Sequence, residues 1–383
     1  MGAVHTSASK PQTRLAWLDG LRGIAVIFIL VAHYFPSPLP GEYATPVAYA
    51  RRAIHLTFTG IDLFFVLSGF FVGGILVRTW GAGRPDKDFY LRRAARILPL
   101  AAVCIGLTYV GLSLGYHDNF TLADVERNYP WWTYVAFVSN WPLAYNLEWG
   151  SGSPLAHLWS LGVEMQFYLA APLLFLLLRS PVRVGVFLVT LGLGSRLLLL
   201  ALAPEAGFAT HFLPFCRADS FGLGILAAGW LANGKPSPWL ETRRPALLSG
   251  WILCGGGMLA LTAKNVGPHD ILLAGFGYTI IAGFFMLSIL LLAGRPDSLP
   301  RRLLTRPWLV RFGTYSYFIY MFQDLTARLV GHGYKLVPDL PVDGLRFALF
   351  PLATGILLLL APLSWKYLEA PFIRLATQYG ISR

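Results

Sequence analysis

The 383-residue chain has few charged side chains, which make up 13% of it, against about 25% in soluble domains. This deficit excludes a disordered chain, a nucleic-acid-binding module and an ordinary cytosolic enzyme. Cysteine is also scarce: Cys104, Cys216 and Cys254 lie inside apolar runs, without the spacing of zinc ligands. They predict small core residues and indicate neither a disulfide framework nor a metal site.

Several catalytic signatures are absent as well. The sequence contains no P-loop, no GxGxxG and no HExxH. Nucleotide hydrolysis and zinc-dependent hydrolysis therefore have no support from motifs.

The chain is rich in hydrophobic residues (55%), and many of them form apolar runs near the length of about 20 residues that a helix needs to cross a bilayer. The pattern predicts an all-α integral membrane protein with about ten transmembrane helices. We place them at residues 17–36, 56–78, 97–115, 155–178, 184–203, 213–232, 246–264, 271–293, 312–331 and 346–367.

The net charge of +12 fits membrane loops better than a nucleic-acid partner. With a cytoplasmic N-terminus, nineteen basic residues fall in inner segments and four in outer ones. This asymmetry predicts that both termini are cytoplasmic, with tails 1–16 and 368–383 around one membrane domain, 17–367. The polar start predicts no cleaved signal peptide. The segment 131–145, rich in Trp and Tyr, predicts an interfacial or re-entrant element.

Ionisable residues inside predicted spans are functional candidates by default, because their burial in lipid is costly. Several of them converge on the outer half of the bilayer, and Arg22 lies about 16 Å further towards the cytoplasm than His33. This predicts a polar cavity entered from outside. The alternative is a structural role, which we favour for Arg217 and Asp219. The residues concerned are Arg22, His33, Asp62, His157, Glu164, Arg217, Asp219, Asp324 and Arg328.

Two further segments allow two interpretations each. FYLRRAARILP (89–99) carries three arginines. They indicate either membrane topology and lipid headgroups, or a seat for an anionic donor such as a nucleotide phosphate. Ser68-Gly69 in FFVLSGFF is typical of a packing notch between helices.

Five segments, in order, resemble the motifs of the membrane acyltransferase-3 family of bacterial integral-membrane O-acyltransferases. The first pairs Arg22 with His33 at the spacing of the family. Met165 stands where the family often has a second Glu, and Gln323 stands where it usually has His. The chain resembles the stand-alone branch without an SGNH domain. The segments are LDGLRGIAVIFILVAHY (18–34), GIDLFFVLSGFFVGG (60–74), FYLRRAARILP (89–99), HLWSLGVEMQFYL (157–169) and WKYLEAPFIR (365–374).

The resemblance implies transfer of an acyl group, commonly acetyl from acetyl-CoA, to a hydroxyl of a sugar or polyketide. The acceptor would be a cell-surface glycan, a glycolipid or a glycosylated natural product. It also implies a place in the bacterial cytoplasmic membrane, among membrane lipids. We expect acyl-CoA as a donor substrate, no permanently bound cofactor, no metal and no nucleic-acid partner.

The resemblance also implies roles for residues. His33 would be the general base, or would carry the acyl group briefly, and Asp62 or Glu164 would orient its imidazole. The donor would bind to four arginines: Arg22, Arg92, Arg93 and Arg96. The candidates for the substrate site are His157, Trp159, Ser160, Tyr317 and Tyr320.

Two alternatives remain open at this point. A transporter or flippase would move a substrate without bond chemistry, and its helices are expected to break near the midplane. The glycines at 73–74 and 255–257 are candidate breaks. A non-catalytic assembly subunit would tolerate replacement of His33, Asp62 and Glu164 without loss beyond stability.

Overall fold

The computed structural model describes residues 15–34, 54–79, 87–115, 122–150, 153–231, 238–264, 266–267, 270–335 and 342–381. Over these ranges the regular secondary structure is helical throughout, which confirms the prediction of an all-α protein.

The helices are α1 (Ala16–Tyr34), α2 (Gly60–Thr79), α3 (Lys87–Ser113), α4 (Leu122–Asn128), α5 (Trp131–Val135), α6 (Asn140–Asn146), α7 (Trp159–Leu178), α8 (Pro181–Leu202), α9 (Ala218–Leu231), α10 (Pro238–Thr242), α11 (Arg244–Ala263), α12 (Tyr278–Ala293), α13 (Leu299–Leu304), α14 (Pro307–Thr314), α15 (Ser316–Lys335), α16 (Val342–Ser364) and α17 (Ala370–Ile381). Short 3-10 turns precede α2, α7 and α9, and π-helical turns precede α12 and α17.

Eight helical stretches in the described part of the chain are long and apolar enough to cross a membrane. They correspond to eight of the ten predicted spans. The sixth prediction, 213–232, contains α9, whose 14 residues rise about 21 Å, less than a bilayer core of about 30 Å. The ninth prediction, 312–331, contains α15, which carries Asp324 and Arg328. The count of ten and the side of the termini stay predictions.

Helix α9 lies at the centre of the bundle, between α2, α8 and α12. Every residue from Ala218 to Ala228 is buried. The approach of α2 to α9 requires glycine, because a Cβ at Gly69 would collide with the carbonyl oxygen of Phe221. The predicted packing notch at Gly69 is therefore present. Helix α1 packs against α2, α14 and α15, and α3 packs against α17.

The outer surface of the long helices is apolar. Leu169, Leu177, Leu198 and Leu253 are all well exposed, as expected for side chains that face lipid. The Trp- and Tyr-rich segment forms the short helices α5 and α6, which expose several of their aromatic side chains. Five and seven residues are too few to span a bilayer, so this segment is not an additional crossing.

The segment predicted as a C-terminal tail, 368–383, contains a helix. The π-helical turn Trp365–Glu369 leads directly into α17. Helix α17 packs on α3, and Ile373 lines the cavity described below.

Candidate active site

A cavity of about 730 Å³ lies among α1, α2, α3, α7, α15 and the start of α17, within the size range of small-molecule sites. Its wall is largely apolar, with Ile61, Phe64, Phe71 and Ile75 on α2. Seven charged side chains line it: Asp19, Arg22, Arg78, Arg92, Arg93, Arg96 and Glu164. We call it the arginine cavity.

The arginines come from three helices that the fold brings together. Arg22 lies on the first turns of α1, Arg78 lies on the last turn of α2, and the other three lie on the first turns of α3. The FYLRRAARILP segment is helical, so Arg92, Arg93 and Arg96 follow at helix spacing. All four predicted donor-binding residues therefore line one cavity.

Positive charge exceeds negative charge in this wall. Among the lining residues five arginines face two carboxylates, and Glu369 is a further acid that acts on Arg22 and Arg96. The guanidinium of Arg93 also lies 4.9 Å from the ring centroid of Tyr168, a cation–π distance. Such a wall attracts an anionic ligand.

Glu164 is a half-buried carboxylate at the cavity wall. One of its oxygens accepts hydrogen bonds from the hydroxyls of Ser68 and Tyr168. The same two hydroxyls lie 3.3 Å apart. Sequence reasoning assigned Ser68 to packing alone and left Tyr168 out. The sequence indicated the contact of Tyr168, which lies four residues after Glu164 on the same helix face. It did not indicate the contact of Ser68, which lies 96 positions away.

Ser160 and Tyr320 contribute hydroxyl groups to the cavity wall. The Tyr320 hydroxyl lies 2.6 Å from Ser160 Oγ and donates to the carbonyl oxygen of His157. The Tyr317 hydroxyl donates to the carbonyl of Ile97 at 2.9 Å. Three of the predicted substrate-site residues, Ser160, Tyr317 and Tyr320, thus line the cavity.

His33 lies at the other end of α1 from Arg22 and is exposed. Its Nδ1 lies 2.9 Å from the carbonyl oxygen of Ile29. This contact requires Nδ1–H as the donor, so Nε2 is the unprotonated nitrogen and is able to take a proton. Neither Asp62 nor Glu164 holds the imidazole; the backbone of its own helix orients it.

Asp62 lies in a different environment from the one expected. It is 1% exposed and forms an ion pair with Arg217, which comes from the turn before α9. A second pair joins Arg196 to Asp219 at 2.8 Å, and Thr279 bridges it. We call Asp62, Arg217, Arg196 and Asp219 the ion-pair cluster. As expected, Arg217 and Asp219 do not pair with each other, and both hold helices together.

The remaining predicted residues are core residues in this structure. Trp159 is 7% exposed. The centroid of its ring lies 4.5 Å from that of His211 and 5.2 Å from that of Phe212. His157 is also buried, with Nε2 at 3.2 Å from the Met321 carbonyl oxygen. Cys104 and Cys216 are buried and unbridged, as predicted, while Cys254 is half-buried. Within the described ranges, no three His, Cys, Asp or Glu side chains cluster as metal ligands.

Comparison with known proteins identifies the family. The model of the acyltransferase-3 family, described as an acyltransferase domain, matches residues 15–366. The chain therefore belongs to this family, as the five motifs predicted.

Individual relatives agree with this assignment. The chain is 26% identical to a Staphylococcus aureus (strain COL) protein named "Putative O-acetyltransferase", over 95% of this chain and 58% of that protein. It is 26% identical to nodulation protein 10 of Rhizobium leguminosarum bv. viciae, over 94% of this chain and 93% of that protein. It is 27% identical to a Bacillus subtilis protein named "Putative peptidoglycan O-acetyltransferase YrhL", over 92% of this chain and 54% of that protein.

The chain thus spans little more than half the length of the Staphylococcus and Bacillus relatives. No solved structure matches it.

Proposed function

We propose that the protein moves an acyl group, in the first place acetyl, from acyl-CoA to a hydroxyl of a sugar in a glycan, glycolipid or glycosylated natural product. We place it in the bacterial cytoplasmic membrane. The observation that carries the donor assignment is the arginine cavity. A CoA molecule presents phosphates and an extended neutral arm, and the cavity offers five arginines at one end and an apolar wall beyond them.

The proposed reaction is direct transfer. The acceptor hydroxyl oxygen attacks the thioester carbonyl carbon, a C–O bond forms, and the C–S bond breaks. His33 Nε2 takes the hydroxyl proton and returns it to the departing CoA sulfur, which leaves as the thiol. Acyl transfer also needs donors for the developing oxyanion. Ser160 and Tyr320 carry hydroxyls at the cavity wall, and they become available as these donors once the Tyr320 hydroxyl leaves the His157 carbonyl oxygen.

The donor and the base are well separated in this scheme. Arg22 lies eleven positions before His33 on one continuous helix, which corresponds to a rise of about 16 Å. The pantetheine arm of CoA is long enough to cover this distance. Phosphates at the arginines would therefore leave the thioester near the other end of the cavity.

The transporter alternative receives no support from helix breaks. The glycines at 73–74 lie inside the continuous helix α2, and those at 255–257 lie inside α11. A broken midplane helix was the feature expected of a transporter at these positions.

Labelled acetyl-CoA tests the proposal in membranes that contain the wild-type chain or the His33→Ala variant. Label is scored in glycolipid, polysaccharide and small-molecule fractions at equal protein level. We expect label with the wild type and a loss of about a hundredfold or more with the variant. Unchanged labelling in His33→Ala would contradict the role of His33. Absence of label with the wild type, with acetyl-CoA and longer acyl-CoAs alike, would contradict the donor.

A further inference from the structure

Three buried polar atoms without a hydrogen-bond partner lie just beyond the closed end of the arginine cavity. They are Nδ1 of His157 and both amide atoms of Gln323. Gln323 is fully buried and His157 is 8% exposed. Buried polar groups are nearly always paired, so unpaired ones need an explanation. A ligand that is absent from this structure would pair them.

The position of these atoms follows from the two helices that carry the closed end. Gln323 lies three residues after Tyr320 on α15, and His157 lies three residues before Ser160 in the turn that leads into α7. Residues at this spacing lie above one another. The Tyr320 hydroxyl forms hydrogen bonds with Ser160 Oγ and with the His157 carbonyl oxygen, so it links the cavity wall to the residue that carries the unpaired Nδ1.

His33, the proposed base, lies at the same end of the helix bundle as these unpaired atoms. The charges of His33, Asp324 and Arg328 all act on the His157 imidazole. Tyr34, next to His33 in sequence, donates its hydroxyl to the Gln323 carbonyl oxygen at 3.0 Å. The outer end of α1, the start of α7 and the middle of α15 therefore meet here.

The chemistry of the unpaired atoms indicates what they bind. Since His157 Nε2 faces a carbonyl oxygen, it carries the proton and Nδ1 is an acceptor. The Gln323 amide adds one acceptor oxygen and one donor nitrogen. Hydroxyl groups donate and accept, so two neighbouring hydroxyls satisfy this set. An anion would leave the two acceptors unpaired, and an alcohol with a single hydroxyl would satisfy only part of the set.

We propose that His157 Nδ1 and the Gln323 amide form a subsite for the acceptor, which binds the hydroxyls next to the one that is acylated. The subsite favours a sugar ring over a substrate with an isolated hydroxyl. The subsite is closed in this structure, so the acceptor enters it only when the Tyr320 side chain turns away. The same movement joins the subsite to the arginine cavity. The assignment rests on the proposed acyl transfer and adds the feature by which the acceptor is recognised.

The test uses the purified chain in lipid nanodiscs, labelled acetyl-CoA and defined acceptor probes. The probes are octyl β-glucoside, octyl β-galactoside and octyl N-acetyl-β-glucosaminide below their micelle concentrations, with octan-1-ol as the alcohol that has one hydroxyl. The rates of acetylation give KM for each probe and for acetyl-CoA. We expect a kcat/KM at least about tenfold higher for one glycoside than for octanol.

The Gln323→Leu variant removes the amide and keeps the approximate volume. We expect KM for the preferred glycoside to rise about tenfold, KM for acetyl-CoA to stay within about twofold, and the octanol rate to be unchanged. The thermal stability of the variant should equal or exceed that of the wild type, since two unpaired buried atoms are removed. A merely structural Gln323 would lower stability and every rate together. Gln323→His, which restores a donor and an acceptor, should recover part of the glycoside affinity.

Ser220→Ala is the matched control. Ser220 is fully buried on α9, its Oγ is also unpaired, and α9 packs against α2, α8 and α12. This variant should leave both KM values unchanged. A Gln323→Leu variant with wild-type KM for the glycoside, or octanol acetylated as well as every glycoside, would overturn the subsite and leave the acyltransferase intact. Absence of transfer to any of the four probes would overturn the subsite, and the membrane labelling experiment would then judge the proposed function separately.

Discussion

Two groups of charged side chains in this protein have opposite characters. In the ion-pair cluster, each arginine has a carboxylate partner, and all four side chains are at most 1% exposed. In the arginine cavity, five arginines and two carboxylates line a cavity of about 730 Å³. Charges inside a membrane protein are functional candidates by default, but of these two groups the second alone borders a volume that admits a ligand.

The neighbours of each charged side chain distinguish structural charges from functional ones. Asp62 is as deeply buried as any predicted catalytic residue, yet its neighbour is Arg217, whose guanidinium also stacks 3.8 Å from the ring centroid of Tyr278. Glu164 instead accepts two hydroxyl hydrogen bonds at a cavity wall. We therefore propose that Glu164 acts on a ligand in the arginine cavity and not through His33, and we interpret Asp62 as a residue that holds α2 against the turn before α9.

The largest expected effect concerns the stability of the ion-pair cluster. Asp62→Ala leaves Arg217 buried without its partner, so we expect the free energy of unfolding to fall by about 3–5 kcal/mol. The double variant Asp62→Leu/Arg217→Met removes both charges and should recover most of that loss. Thermal unfolding in nanodiscs measures both. A stable Asp62→Ala protein that has lost only its activity would show that Asp62 is catalytic.

The next effect concerns turnover at the arginine cavity. Glu164→Gln keeps the shape of the side chain and removes its charge, so we expect kcat to fall about a hundredfold while the unfolding temperature changes little. The exposed Glu205 provides the control, and Glu205→Gln should behave as the wild type. If Glu164→Gln retains full kcat, its hydrogen bonds with Ser68 and Tyr168 serve packing alone.

The smallest effect is a dependence of stability on pH. His211 lies in the turn Pro204–His211, between α8 and α9, with Nδ1 at 2.8 Å from the Tyr278 hydroxyl. Burial, with the nearby Arg217 charge, holds the pKa of His211 well below its usual value of 6.5. Below pH 6.5 the imidazole of His211 is protonated in the unfolded chain but stays neutral in the folded chain. The free energy of unfolding is therefore at its full value above pH 6.5 and decreases as the pH falls below it.

Unfolding temperatures of the wild type and of His211→Asn between pH 7.5 and 5 measure this effect. We expect the wild type to lose more stability than the variant over this range. Equal slopes would show that His211 is readily protonated in the folded protein and that the ion-pair cluster tolerates a further charge.

The motifs predicted the helices and named four of the five arginines that line the arginine cavity, because their information is local. Arg92, Arg93 and Arg96 follow at helix spacing, and Arg22 lies on the helix that packs beside α2. The packing role of Gly69 also follows from small size alone. These features depend on the period of a helix and not on which helices become neighbours.

Other features depend on contacts between distant parts of the chain, and the sequence did not predict them. Asp62 and Arg217 are 155 positions apart, and no spacing rule joins them. The partner of His33 Nδ1 is a carbonyl of its own helix, which side-chain patterns do not show. The length of α9 was overestimated because an apolar core helix and a membrane span have similar composition.

The most direct measurement is the equilibrium binding of acetyl-CoA to the purified chain. If the arginine cavity holds the donor, Arg93→Met and Arg96→Met should each raise Kd about tenfold, which corresponds to about 1.4 kcal/mol. Arg183→Met, on the exposed start of α8, should leave Kd unchanged. Wild-type affinity in both cavity variants, at unchanged stability, would contradict the assignment of the arginine cavity as the donor site.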